Sequence, residues 1–408
     1  MMRILYIAYS CDPYSGSEDK IGWNIPFESA KTNEVYLITK EEHRDNIKRY
    51  ISENNRSNLY IYFVDIPGLY KKFFDGFFYS GRLNVWNRRV FPLAKEICEK
   101  KNIEIIHQIT PIEFRSIGNY GQIKNTKFIC GPLGGGEQIP HALKSYMKKH
   151  WAVEIIRKSI NQYSKMKLKL LGKLKKCDYI LFANSETRDF LIKEKELSDE
   201  KQIITEIAIS EKNISYKKRK KDDYEVIHFL VAGRLIYRKG YDFLLDAMER
   251  IPDQYSYQCR IVGSGPEYES IEKRCLHNKQ LQERVILAGR IPYDQMEKEY
   301  NWADVLIMPS LRETTGSVIL EAMAQGIPVI TIGKFGGSKL VDDCVGWTYT
   351  GNTKDNYIEN LKNIMIRCID TPSVVYEKGR KSYERAKQYT WKEKCRQYQL
   401  IYMNLLKK

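Results

Sequence analysis

Between Pro309 and Thr331 the chain reads PSLRETTGSVILEAMAQGIPVIT, with Glu313 and Glu321 separated by seven residues. Val318, Ile319, Ala322 and Met323 recur at helical spacing, so a helix with one buried face is expected over 317–325. Gly326 suits the left-handed residue that ends such a helix, and Pro328 stops it from resuming before a short strand at 329–331. The amides of Thr315, Gly316 and Ser317 then become the unpaired donors of a helix start, a natural seat for a phosphate. A carboxylate is a poor neighbour for phosphate but a good acceptor for hydroxyls. Phosphate with hydroxyl-bearing groups on both sides is the layout of a nucleotide sugar. Glu313 would reach one end of it and Glu321 the other; the plainer reading is a surface helix with an acid at each end.

A second segment points the same way. His228-Phe229-Leu230-Val231-Ala232 is a strand candidate, followed by Gly233-Arg234-Leu235-Ile236-Tyr237-Arg238-Lys239-Gly240 and an amphipathic helix over 241–250. Strand, glycine turn, cations and helix would present Arg234 and Lys239 to one diphosphate. A cation about 4 Å from a phosphate contributes on the order of 4 kcal/mol at an effective dielectric near 20. An exposed helix start contributes roughly 0.3–1 kcal/mol. The cations should therefore dominate stabilisation of a departing diphosphate, unless they are merely solvated loop charges.

The elements that must hold these residues follow from periodicity. Apolar strand candidates at 3–9, 34–39, 59–64, 103–106, 127–130 and 179–183 alternate with helices in the first half. Those at 228–232, 258–262, 285–288, 305–308 and 329–331 do so in the second. Such alternation gives an α/β chain of two doubly wound parallel sheets, whose ligands sit beyond the strands' C-terminal ends. A length of 408 residues suits two such domains. The basic stretch 216–223 is the linker candidate. No apolar run reaches membrane-spanning length, no signal-peptide pattern opens the chain, and the nine cysteines form no CxxC pair. Free thiols in a reducing cytoplasm are the expectation, with neither zinc nor disulfides.

Several motifs in order resemble the family-4 retaining glycosyltransferases of the GT-B fold. They are G-R-L-x-x-x-K-G from Gly233, I-V-G-S-G-P from Ile261, A-D-V-x-x-x-P-S from Ala303, and the E-x7-E block. The first half resembles one branch of that family through C-D-P-Y-S-G-S-E-x-x-x-G-W from Cys11, H-Q-I-T from His107, and G-P-L-G-G-G-E-x-x-P from Gly131. The resemblance implies two Rossmann-like domains facing a central cleft. Residues 1–208 would form the acceptor side, 209–389 would bind the donor, and a final helix over 390–408 would cross back. Transfer would proceed with retention, the departing diphosphate accepting the acceptor's proton.

In that scheme Arg234 and Lys239 neutralise the leaving group with help from the amides of Thr315, Gly316 and Ser317. Glu313 holds sugar hydroxyls and Glu321 the ribose. Gly233, Gly263, Gly265, Arg290 and Ile291 border the nucleotide, while the loop around Gly16 faces the donor phosphates. His107, read as the end of the 103–106 strand, orients the sugar. Gly135 and Glu137 are assigned to the acceptor side, although a purely structural turn fits them nearly as well. No metal and no cofactor are expected, because no Asp-x-Asp pair accompanies the motifs. Many relatives carry an aromatic residue where this chain has Thr315, which leaves the sugar open; uridine diphosphate is preferred to guanosine diphosphate as its carrier.

The net charge of +16 concentrates between Lys71 and Arg89 and between Lys144 and Lys176. The first stretch mixes its cations with Phe73, Phe74, Phe77, Phe78, Tyr79 and Trp86; the second carries Met166, Leu168, Leu170, Leu171 and Leu174 among lysines. Basic helices with an apolar flank suit an anionic membrane surface, and a solvated lysine-rich face suits them equally. The membrane reading favours a polyprenyl-diphosphate-linked glycan as acceptor, at the inner face of a bacterial cell membrane, in capsule, exopolysaccharide or lipopolysaccharide assembly. A nucleic-acid-binding protein would explain the charge but not the spaced glutamates, and no nucleic-acid motif is present. Another GT-B enzyme, an epimerase or an inverting transferase, is the nearer alternative.

Overall fold

The computed structural model describes residues 1–66, 68, 79–192, 201–216 and 226–407. It divides into two compact units. One comprises Met1–Gly136, Glu154–Ala208 and Trp391–Lys408; the other comprises Glu137–Val153 and Ile209–Thr390.

The first unit is built on β1 (Arg3–Ala8), β2 (Glu34–Lys40), β3 (Leu59–Val64), β4 (Ile105–Thr110), β5 (Lys127–Leu133), β6 (Tyr179–Phe182) and β7 (Lys201–Ile203). They form one sheet in the order β3-β2-β1-β4-β5-β6-β7, with every pairing parallel. Burial on both faces explains why the inner strands β1, β2, β4 and β5 read as largely apolar runs. Along β1, Leu5 and Ile7 join the layer containing Trp86 and Val90, while Ile4, Tyr6 and Ala8 join the layer containing Trp23, Tyr398 and Tyr402. That is the two-residue alternation of a strand. Burying each such large side chain contributes roughly 1.5–3 kcal/mol. The helix Trp391–Lys407 supplies Tyr398 and Tyr402, and its buried Lys394 donates to the Thr205 carbonyl.

The second unit repeats the plan with β8 (Ile227–Ala232), β9 (Tyr257–Val262), β10 (Val285–Gly289), β11 (Val305–Met308), β12 (Val329–Ile332) and β13 (Gly346–Tyr349). Their order is β10-β9-β8-β11-β12-β13, again all parallel. In each sheet the chain winds outward from one central strand and then returns to its other side. The reversal lies between β1 and β4 in the first sheet and between β8 and β11 in the second.

The sequence reading assigned all of 1–208 to the first domain, but residues 137–153 group with the second unit. Leu143, Tyr146 and Met147 enter its core beside Phe243 and Leu244. Lys148 pairs with Asp242 at 2.6 Å. Ile139, Leu143, Tyr146 and Met147 stand at helical spacing, which marks a buried face but does not say which unit it packs against. Of the 216–223 linker candidate, only Tyr216 is among the described residues.

Candidate functional site

Ligands of open α/β sheets bind where the winding reverses, beyond the strands' C-terminal ends. In the second unit this place is framed by the loops after β8 and β11. The first loop carries Gly233, Arg234, Arg238 and Lys239; the second carries Glu313. They are tied together by backbone, since the amide of Leu311 donates to the Arg238 carbonyl at 2.8 Å. Across the tie, the Lys239 ammonium donates to a Glu313 carboxylate oxygen, and an Arg238 guanidinium nitrogen lies 3.7 Å from that oxygen. Both side chains of the Lys239–Glu313 pair are mostly buried, at 16% and 14% exposure. Burial alone would push the Glu313 carboxyl up. The charges of Lys239 and Arg238 and the hydrogen bonds from Lys239 and the Thr314 amide overcome it and hold the group below its ordinary range. An ammonium has three donors; Glu313 occupies one. Arg234 is exposed on the same loop, and its guanidinium makes no ion pair among the described residues.

The glycines explain how close these loops lie. A Cβ on Gly263, in the loop after β9, would stand 1.9 Å from the Gly233 carbonyl oxygen, and Gly263 has φ +144. A side chain there would separate the two loops. Gly265 stacks in the same way on the backbone of Leu235. Gly316, at φ +94, immediately precedes the helix Ser317–Ala324, and no side chain caps that helix start. Thr315 beside it is buried. The structure therefore gathers Gly233, Lys239, Gly263, Gly265, Glu313 and Gly316 at one sheet end. Arg290 and Ile291 follow β10, whose Gly289 carbonyl accepts the Gly263 amide at 2.7 Å.

Glu321 has different company. It accepts the Tyr300 hydroxyl at 2.7 Å and lines a cavity of about 210 Å³ with Tyr293, Asp294, Met296, Lys212 and Gln325. Burial, then the negative charge of Glu321, pushes the Tyr293 phenol up to about 12. Carboxylate, phenols and amide make a polar hollow suited to hydroxyls.

In the first unit two expectations change. His107 lies within β4, which runs from Ile105 to Thr110, and does not end a strand. It is completely buried, with Nδ1 at 2.6 Å from the Tyr402 hydroxyl and Nε2 at 2.7 Å from the Gly131 carbonyl. Burial lowers its pKa to about 3, and both ring nitrogens are engaged within the first unit. Glu137, placed on the acceptor side by sequence, is only 2% exposed and belongs to the second unit. Its carboxylate is not presented to solvent. Gly135, at φ +100, has its carbonyl held by Arg157 and Asn161, as a structural turn requires.

Gly16 precedes the helix Ser17–Ser29, in the loop after β1. The informative residue beside it is Glu18, in the first turn of that helix, which enters the sequence reading only as part of a motif. Its carboxylate accepts the Ile112 amide at 2.7 Å and so ties the helix start after β1 to the loop after β4, at the reversal point of the first sheet. Burial, with Glu113 and Asp19 nearby, pushes its pKa up to about 7 against that hydrogen bond. Arg238 and Tyr300 were likewise given no role; Arg238 could have been suspected from the Arg-Lys pair before Gly240.

Two doubly wound units of this order, the second with a cation–carboxylate pair at its reversal point, define the GT-B architecture. Residues 210–389, which make up most of the second unit, match the family model described as glycosyl transferases group 1. An uncharacterized glycosyltransferase of Methanocaldococcus jannaschii is 35% identical over 133 residues, 32% of this chain and 33% of that protein. The phosphatidylinositol N-acetylglucosaminyltransferase gpi3 subunit of Schizosaccharomyces pombe is 23% identical over 91% of this chain and 73% of its own length. The chain spans about a third of the first curated relatives it matches. Among solved structures, the lipopolysaccharide outer core galactosyltransferase WaaB superposes with a TM-score of 0.66 at 15% identity, covering 99% of both chains. HepE of Anabaena, solved with UDP and glucose, gives 0.61 at 15% identity over 98% of this chain and 99% of its own. At such identity these two likenesses concern the fold alone.

Proposed function

We propose that the chain is a metal-independent, retaining glycosyltransferase that moves a hexose or N-acetylhexosamine from a nucleoside diphosphate to a hydroxyl of a glycan acceptor. The observation that carries this reading is the Lys239–Glu313 pair spanning the reversal point of the second sheet. A site with cations beside a carboxylate takes a ligand carrying phosphate next to hydroxyls. Lys239, Arg234 and Arg238 stabilise the diphosphate as the anomeric C–O bond breaks and its electron pair leaves with the phosphate oxygen. The acceptor oxygen bonds to the anomeric carbon on the same face, and its proton passes to the departing diphosphate. Glu313 holds hydroxyls of the sugar, Glu321 those of the ribose. The amides of Thr315, Gly316 and Ser317 assist at the phosphate, while Gly233, Gly263, Gly265, Arg290 and Ile291 border the nucleotide. With three cations at the site, the leaving group needs no metal ion.

On the acceptor side, Glu18 takes the place that the sequence suggested for Glu137: it binds the acceptor hydroxyl. UDP is the preferred carrier; HepE, solved with UDP, is the neighbour that supports this choice. The acceptor is a polyprenyl-diphosphate-linked glycan handled at the inner face of the cell membrane, in surface-polysaccharide assembly. Two similar proteins, the phosphatidylinositol N-acetylglucosaminyltransferase subunit and the lipopolysaccharide outer core galactosyltransferase, favour such a lipid-borne acceptor. A thermal-shift screen of uridine and guanosine diphosphate sugars tests the donor reading. Selective stabilisation by a uridine diphosphate sugar supports it; no response to any nucleotide sugar at millimolar concentration sinks it.

A further inference from the structure

The helix Trp151–Leu170 leaves an apolar stripe in solvent. Trp151, Ile155, Tyr163, Met166 and Leu170 are all exposed on it, Leu170 at 84%, and the exposed Leu171 follows in the turn after the helix. At 100° per residue these side chains fall within one side of the helix. The opposite side is a packed face, with Asn161 and Leu168 buried and Leu168 in the core of the first unit. Globular surfaces carry isolated exposed apolar residues routinely, but five large ones on one side of a single helix, interrupted only by the exposed Ser159 and Gln162, mark an interaction surface.

The charges beside the stripe identify the partner. Lys158, Lys167 and Lys169 are exposed, and by helical angle Lys167 flanks one edge of the stripe and Lys158 and Lys169 the other. The sole acidic residue of the helix, Glu154, lies off the stripe and pairs with Arg157 at 3.3 Å. A second protein copy would gain from mixed charge at such a rim, whereas an anionic lipid surface gains from cations alone. Aromatic residues such as Trp151 and Tyr163 also suit the headgroup level of a bilayer.

We propose that this helix is the membrane-docking face of the protein, lying in the plane of an anionic bilayer with the Trp151-to-Leu170 stripe inserted and the flanking lysines at the headgroups. The inference rests on the reading that the acceptor is lipid-borne, and it narrows the sequence expectation. Leu168, counted there as part of the apolar flank, is core, and Leu174 packs against the same core. In the other basic stretch Trp86 is buried with its indole N–H donating to the Val64 carbonyl, so it cannot insert. Lys71, Lys72, Phe73, Phe74, Phe77 and Phe78 of that stretch lie outside the described residues.

Flotation of the full chain with vesicles tests the proposal, using neutral phosphatidylcholine alone or mixed with phosphatidylglycerol. The wild type should float with the mixed vesicles at low salt, and not with neutral ones. The triple variant Ile155→Ser, Met166→Ser, Leu170→Ser should partition at least tenfold more weakly with its melting temperature and nucleotide-sugar binding unchanged. The pair Lys167→Glu, Lys169→Glu should lose the preference for anionic lipid. Equal flotation of wild type and triple variant overturns the assignment, as does absence of wild-type flotation. So does a wild-type dimer that the triple variant converts to monomer without any vesicle binding, which would make a second copy the partner. Because transfer to a water-soluble acceptor is assayed separately, loss of docking and loss of the enzymatic reading are distinguishable.

Discussion

Lys239→Ala is the perturbation whose consequence the structure makes most calculable. The ammonium pairs with Glu313, and its nitrogen lies 3.9 Å from the point where a Cβ on Gly233 would stand. It therefore occupies the corner between the two loops where the diphosphate is proposed to sit. A cation about 4 Å from a phosphate is worth on the order of 4 kcal/mol at an effective dielectric of 20. Arg234 and Arg238 remain in the variant and water enters, so the net loss should fall near 2.7–4 kcal/mol, roughly two to three powers of ten in turnover. Folding should suffer little, because Glu313 keeps Arg238 and the Thr314 amide. The assay is release of nucleoside diphosphate at saturating donor, with donor affinity followed by calorimetry. Glu313→Gln and the double variant complete a cycle, and the two changes should be strongly non-additive. Turnover within threefold of wild type, with unchanged donor affinity, would refute the leaving-group role of Lys239.

Three further variants and one condition probe the rest. Glu18→Gln should raise the KM for acceptor about tenfold and leave the KM for donor alone; acceptor KM in the wild type should fall as pH rises through about 7, where Glu18 ionises, and a flat profile in both proteins removes Glu18 from the acceptor site. Tyr300→Phe deletes the 2.7 Å hydrogen bond to Glu321 and should weaken donor binding by roughly two- to tenfold, the scale of one net hydrogen bond; a nucleotide that binds equally well places the ribose elsewhere. His107 has a folded pKa of about 3 against an ordinary 6.5, so its contribution to stability is present above pH 6.5 and is lost as pH falls toward 3. That span amounts to on the order of 4–5 kcal/mol. His107→Gln should lower stability at pH 7 by about 1–3 kcal/mol and flatten its decline with acid, with the folded fraction still active; a stable but inactive variant would restore a catalytic role. Finally, EDTA should leave transfer unchanged, and loss of turnover restored by added magnesium or manganese would contradict metal independence.

How much of this was readable in advance follows from where the signals are local. The strand candidate at 305–308 coincides with β11, because a fully buried parallel strand announces itself as an apolar run; the candidate at 59–64 coincides with β3, a partly exposed edge strand that is legible from its aromatic and β-branched residues. The helix expected over 317–325 is Ser317–Ala324, bounded by the very glycine that needs a positive φ. β7 and β13 escaped notice: Lys201-Gln202-Ile203 is too short and polar, and Gly346-Trp347-Thr348-Tyr349 lacks a run of aliphatic residues. The gathering of Lys239 with Glu313 was foreseeable as two loops at neighbouring strand ends. The position of His107 is less legible, because a strand expected to end at Ile106 runs four residues further, to Thr110, and makes it a mid-strand residue. Its partner Tyr402 lies 295 residues away in the last helix, a contact that no local pattern encodes. Glu18 was overlooked for a related reason, since its meaning depends on the Ile112 amide from another loop.

The central claim is that the loops after β8 and β11 release a sugar from a nucleoside diphosphate with its anomeric configuration kept. A proton NMR time course of wild-type protein with a uridine diphosphate α-hexose and a lipid-linked glycan acceptor addresses it directly. The donor's anomeric signal should decay as free nucleoside diphosphate and an α-linked product grow together. A β-linked product, or a donor left intact across the whole panel of nucleotide sugars and acceptors, would contradict the account.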